Sequence, residues 1–328
     1  MISLFNKRTN QNGFKGEKSF CDHLIKTGLY DTETDVNQNF DQLVDELKDW
    51  LHQKGFEREI SVLDFMLEKK DGQFRKDGET PAALHEVTQA IYLVSCLEDG
   101  LHITDPAGVL AVIFSHDLGE DFNIRPQQMA DRLFIDGHKH DDSMAHFLYE
   151  FDQISMHYGG EAKPEYKTPH DYSVALRKTQ NAGLAKLFDN LQNAATIIGG
   201  LSDERASEYN VKIHMLLDRY ISQSCENYPE QAEIYKTLQK AIGTVGNYNR
   251  HDKHGEALGK PLKIEEDHLT AKGLKLPLGL DPYMISATRI WERHPTLKEH
   301  DAIPDVYQTR IHNSDSDNPG FSEYTPAS

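Results

Sequence analysis

The sequence predicts an all-α fold, a helical bundle followed by a less regular C-terminal extension. Three observations lead there. Apolar residues recur at helical spacing over most of the chain, and no run alternates with period two for long enough to make a strand. The pattern then fades near Gly246, with seven of the thirteen prolines and six histidines in residues 246–328.

In order, residues 38–54 read as an amphipathic helix carrying Phe40, Leu43, Leu47, Trp50 and Leu51. Residues 58–70 make a second, with Ile60, Leu63, Met66 and Leu67 on one side, ended by Asp71-Gly72. Thr80-Pro81 reads as an N-cap followed by proline at the first helical position. The helix it opens runs to about Leu97, with Leu84, Val87, Ile91 and Val94 as its buried stripe. Asp105-Pro106 repeats that start for a helix over 106–121, whose Val109, Leu110, Val112, Ile113 and Phe114 place it centrally in the core. Helices near 143–157, 171–198, 205–224 and 229–242 complete the body. The chain thus divides into an N-terminal extension (1–55), a helical domain (56–245) and a C-terminal extension (246–328).

Bulk properties narrow the function. At 328 residues, 38% hydrophobic and 27% charged, the chain has the make-up of a soluble globular protein with room for one or two cores. Its start, MISLFNKRTNQNG, holds no apolar core of signal-peptide length, and no stretch approaches the ~18 apolar residues of a membrane span. Cys21, Cys96 and Cys225 lie far apart, against a disulfide framework or a zinc ribbon. A cytoplasmic location fits both points. Fifty-three acidic residues against thirty-five basic ones leave a net charge of −18. A duplex-binding protein shows a basic surface, so nucleic acid is not expected as a partner. Oligomeric state is open.

The densest chemistry is His116-Asp117-Leu118-Gly119-Glu120-Asp121. On a helix, the pairs His116/Glu120 and Asp117/Asp121 stand four residues apart, so all four project from neighbouring rows of one face. Three carboxylates and an imidazole at the end of so apolar a helix are costly without a cation. His85, 31 residues upstream, is within reach of a helix, a loop and a return. Asp189 interrupts an apolar helical stretch, where aspartate has poor propensity, and Asn193 is one turn further on the same face. Two imidazoles and two carboxylates from three helices suit Mn²⁺ or Fe²⁺ and leave sites open for water and a phosphate oxygen. Glu120 and Asp121 are placed to take a proton from that water. Arg75 and Lys76, in a turn flanked by Gly72 and Gly78, can grip phosphate, arginine through two parallel hydrogen bonds and lysine as a point charge.

Gly72-Gln73-x-Arg75-Lys76-x-Gly78-Glu79-x-Pro81-x-x-x-His85, then His116-Asp117-x-x-Glu120-Asp121, then Lys186-Leu187-x-Asp189-x-Leu191-x-Asn193 resemble, in the same order, the hydrolase domain of the RelA/SpoT homologues. The resemblance covers roughly residues 58–245, and no segment resembles the synthetase domain of the bifunctional members. It is closer to the small, hydrolase-only members. It implies an all-α HD-domain bundle with one Mn²⁺ on His85, His116, Asp117 and Asp189. It also implies Glu120 and Asp121 as the water-handling pair, and Arg75, Lys76 and Asn193 as nucleotide contacts. The implied substrate is the alarmone (p)ppGpp of the stringent response, cleaved at its 3′-diphosphate to GDP or GTP and pyrophosphate. Members also act on other nucleotides, including NADPH. An HD phosphatase of another small nucleotide is therefore an alternative, as is a nucleotide-sensing HD scaffold without turnover. Thr80 is an insertion relative to the family pattern; Glu86 replaces a proline, Phe122 a threonine, Ala82 a tyrosine, and Lys70 a frequent histidine. These departures are expected on the nucleotide side of the pocket rather than at the metal.

Overall fold

Helix α5 (Pro106–Phe122) is the axis of the fold because it is apolar on every side: Val109, Leu110, Ala111, Val112, Ile113 and Phe114 are all fully buried. The computed structural model describes residues 19–27, 29, 39–75, 80–166, 169–200 and 224–251. Around α5 pack α3 (Glu57–Lys70), α4 (Leu84–Glu98), α7 (Asp142–Ile154) and α9 (Asn181–Gly200). Outside these, α1 (Phe20–Lys26) lies on α4, α2 (Phe40–Gln53) on α3 and α4, and α6 (Pro126–Ile135) on α7 and α3. α8 (Pro169–Leu176) rests on α7, and α10 (Ala232–His251), entered through a 3-10 turn over Pro229–Gln231, runs along α9. Among the described residues the structure is helical except for one two-stranded hairpin, β1 (His157–Tyr158) with β2 (Glu161–Ala162), and an isolated bridge between Phe74 and Pro81. No described helix is long and apolar enough to cross a membrane.

The all-α expectation and most helix positions agree with the structure. Phe20, Leu24, Leu43, Leu47, Trp50 and Leu51, from the segment read as an extension, share one core cluster with α3, α4 and α5. The 205–224 helix falls almost wholly outside the described residues, as do residues 252–328.

Four readings need correction. Thr80-Pro81 does not start a helix. The Arg75 amide donates to the Thr80 carbonyl at 2.8 Å and the Ala82 amide to the Gln73 carbonyl at 2.9 Å, so this backbone is spent closing a loop. α4 therefore begins three residues past Pro81, at Leu84. The expected 171–198 helix is two helices: the Thr179 hydroxyl accepts the Gly183 amide at 3.0 Å and donates to the Leu176 carbonyl at 2.6 Å, ending α8 and starting α9. α6 was not expected; only Met129, Ala130 and Leu133 are buried on it, too thin a stripe to stand out. The hairpin was also not foreseen. Its signal is Gly159-Gly160, both at positive φ (56° and 88°), which suits the twist of a two-residue turn.

Two contacts set the position of the helices that matter most. Glu150, fully buried on α7, accepts the backbone amides of Gln180 (3.0 Å), Asn181 (3.3 Å) and Ala182 (2.7 Å), so its carboxylate caps α9 from another helix. Gly119 lets the segment before β1 lie directly on α5: a Cβ there would stand 2.4 Å from the Ser155 hydroxyl and 3.0 Å from the Tyr158 ring.

Candidate metal centre

α4, α5 and α9 deliver the predicted ligands to one place. His85, His116 and Asp189 are buried and offer ligand atoms within 4.8 Å of one another; Glu86, His116 and Asp117 form a second such group. The imidazole planes are fixed from behind. The His85 Nδ1–H donates to the Gln192 Oε1 at 2.6 Å, and the His116 Nδ1–H donates to the Ile113 carbonyl at 2.8 Å. Each hydrogen bond assigns the tautomer that turns the Nε2 lone pair into the cluster. His85 Nε2 lies 3.0 Å from Asp189 Oδ1, and His116 Nε2 lies 3.1 Å from Asp117 Oδ1 and 3.7 Å from Asp189 Oδ1. His116 Nε2 is buried and makes no hydrogen bond. A buried ring nitrogen facing two carboxylates is what a divalent cation satisfies once the imidazole is neutral. The donor set thus fits one.

The carboxylates share a design. Asp189 accepts Lys186 Nζ on Oδ2 at 2.6 Å and presents Oδ1 to the histidines, braced there by the Asn193 side-chain amide at 2.6 Å. Asp117 accepts Lys70 Nζ on Oδ2 at 3.0 Å and presents Oδ1 to His116. Burial alone would raise both carboxyl pKa values. For Asp189 the charge of Lys186 and the hydrogen bonds of His116 and His85, and for Asp117 the charges of His116 and Lys70, overcome it and hold both well below the usual range. For His116 burial works against the charged form, but Asp117 and Asp189 outweigh it and hold its pKa well above the ordinary value. A proton and any metal ion bound here would therefore compete for the same imidazole.

Lys70 and Glu86 correct the expectation that the departures sit on the nucleotide side. Lys70 Nζ bridges Glu86 Oε1 and Asp117 Oδ2, so the altered pair borders a predicted ligand. Burial pushes the Glu86 carboxyl up, against the pull of Lys70.

The remaining predicted residues divide. Glu120 accepts the Met156 backbone amide on Oε1 at 2.8 Å and has His157 Nε2 3.5 Å from Oε2, which ties it to the hairpin. Asp121, one residue on, is exposed; partial burial and the nearby Asp117 and Glu120 raise its pKa. Asn193 is brought against Asp189. Arg75 is half-buried at the foot of the loop closed by Thr80, and Lys76 lies outside the described residues.

Gln192 and Gln89 were missed. Gln192 follows Asp189 by three residues, and Gln89 follows His85 by four and places its amide nitrogen 2.8 Å from His85 Nε2, while its own Oε1 is buried without a hydrogen bond. Helical spacing from the candidate ligands would have found both. No protein-family model, curated protein or solved structure matches the chain.

Proposed function

We propose that this chain is a metal-dependent phosphohydrolase of the HD type acting on a nucleotide phosphate, with the 3′-diphosphate of (p)ppGpp as the leading substrate. One observation carries the metal chemistry: His85 and His116, from different helices, have tautomers set by Gln192 and Ile113 that aim both Nε2 atoms at Asp117 and Asp189. The alarmone is supported by the sequence resemblance alone.

His85, His116, Asp117 and Asp189 would hold the ion, with Mn²⁺ or Fe²⁺ fitting the mixed nitrogen and oxygen set. When bound, it supplies Lewis acidity and an acidified water. Asp121 is the better placed proton acceptor of the acidic pair: its oxygens reach solvent and its pKa is raised, toward the range in which a general base works. Glu120 positions it by fixing the end of α5 to the hairpin. Lys186 and Asn193 hold Asp189 in register, and Arg75, in the loop leading to α4, is the cation assigned to the phosphate.

The test is Mn²⁺-loaded protein screened for phosphate and pyrophosphate release from ppGpp, NADPH and common nucleotides, beside Asp189→Ala. Release from ppGpp by the parent, and neither metal nor release in the variant, is expected. Full metal occupancy in Asp189→Ala would overturn the ligand assignment, and release from NADPH alone would move the substrate to the alternative. A nucleotide sensor without turnover is the second reading. It is favoured by Glu120, both of whose oxygens already face the hairpin, and binding of ppGpp without product would establish it.

A further inference from the structure

Beside the four proposed ligands lies a second group of acidic atoms with a cation already in it. Glu86 follows His85 directly on α4, is fully buried, and has an oxygen within 4.8 Å of ligand atoms of His116 and Asp117. Its Oε1 is held by Lys70 Nζ, yet its Oε2 is buried with no hydrogen-bond partner. Lys70 is itself buried on α3 and makes its other contact, at 3.0 Å, with Asp117 Oδ2. An almost fully buried ammonium thus sits between two carboxylates, one of them a proposed metal ligand.

Charge counting gives this arrangement a meaning. Glu86, Asp117 and Asp189 carry three negative charges, and Lys70 and Lys186 carry two positive ones. With neutral imidazoles one negative charge is left over, which a single divalent ion more than balances. Without Lys70 two are left over, and the oxygens of Glu86 and Asp117 face each other with no cation between them. His116 has one lone pair directed inward, so it serves one ion only. A second ion would be held by the two carboxylates.

We propose that the Lys70 ammonium occupies the second cation position of this site, a tethered substitute for a metal ion that limits the native centre to one divalent cation. Loss of its charge opens a two-carboxylate position on Glu86 and Asp117 for a hard divalent ion. The inference rests on the metal-binding reading above, and its test separates the two.

Full-length protein is equilibrated with Mn²⁺ at about pH 8, far above the ordinary carboxylate range, and bound metal is measured by elemental analysis. The parent takes up one ion per chain, Lys70→Met takes up two, and Lys70→Met combined with Glu86→Gln returns to one. Should Lys70→Met unfold when stripped of metal, the same comparison is read from thermal unfolding with and without Mn²⁺. Its metal-dependent shift then exceeds that of the parent and of the double variant. One ion in Lys70→Met and no larger shift overturns the proposal while leaving the metal reading intact, as do two ions in the parent. No ion in the parent overturns both.

Discussion

Gln192 is the residue that most directly tests the geometry of the centre. It is 5% exposed, and its Oε1 accepts the His85 Nδ1–H at 2.6 Å. Gln192→Leu keeps the volume and removes the acceptor. The buried Nδ1–H is then left unpaired, a loss of about 1–3 kcal/mol. The imidazole escapes that loss by moving its proton to Nε2, where Asp189 Oδ1 waits at 3.0 Å. That tautomer has no lone pair to offer a metal from Nε2. Binding has to reverse the shift, so affinity drops by the same free energy, about tenfold to a hundredfold, the usual scale for partners behind a ligating histidine. Calorimetric titration of metal-free protein with Mn²⁺ measures it directly. Gln192→Glu retains an acceptor and should keep affinity within a few-fold of the parent. Equal affinities for the parent and Gln192→Leu, with a loss confined to thermal stability, would show that Gln192 only fills the core.

Other outcomes follow from the same contacts. Glu150→Ala leaves three amides at the start of α9 without their carboxylate; at ~1 kcal/mol or more for each lost cap, chemical denaturation should show a loss of about 3 kcal/mol, and a change under 1 kcal/mol would mean that α9 is capped otherwise. Asp121→Asn should lower turnover by about 10²–10⁴-fold with metal content unchanged, whereas Glu120→Gln keeps an acceptor for the Met156 amide and should cost less; the reverse order of losses would exchange their roles. pH acts in opposite directions on the two forms. The raised pKa of His116 contributes stability to the metal-free protein below ~6.5 that is lost as pH rises through its folded value, while the depressed Asp117 and Asp189 contribute stability above ~3.9 that is lost as pH falls through theirs. Metal needs the neutral imidazole, so the stability gap between Mn²⁺-loaded and metal-free protein should widen from pH 6 upward; a flat gap in urea unfolding across that range would remove His116 from the ligands.

The sequence made the candidate ligands legible for a physical reason. An imidazole and carboxylates at the end of an apolar helix are costly unless compensated, and that conflict is visible without coordinates. The start of α5 was equally plain, because its cap is local: Asp105 accepts the amide of Gly108, three residues away, at 2.9 Å. The start of α9 was not, because its cap comes from Glu150, 30 residues earlier, and no local pattern encodes that. Thr80-Pro81 misled for the opposite reason. Its residues have the chemistry of a helix start, but the Arg75 and Ala82 amides draw the same backbone into a closed loop. Lys70 and Glu86 were seen only as departures, since their meaning lies in each other and a separation of 16 positions hides the pairing.

That pairing also eases the conflict between a chain of net charge −18 and the polyanionic substrate proposed above. Exposed charges farther off than about 8 Å are screened at physiological salt, so the global excess governs approach more than grip. Inside the centre the balance is different. Each carboxylate proposed as a ligand gives one oxygen to a lysine, Asp117 to Lys70 and Asp189 to Lys186. With neutral imidazoles Glu86, Asp117, Asp189, Lys70 and Lys186 together carry one negative charge, and a divalent ion would turn the centre net positive where little water reaches and charges count most. Glu120 and Asp121 stand at the outer end of α5, nearer to solvent. The lysines thus do more than stabilise two aspartates. On the proposed reading they would let a site built from three carboxylates, two of them almost fully buried, present positive charge to a phosphate once an ion is bound.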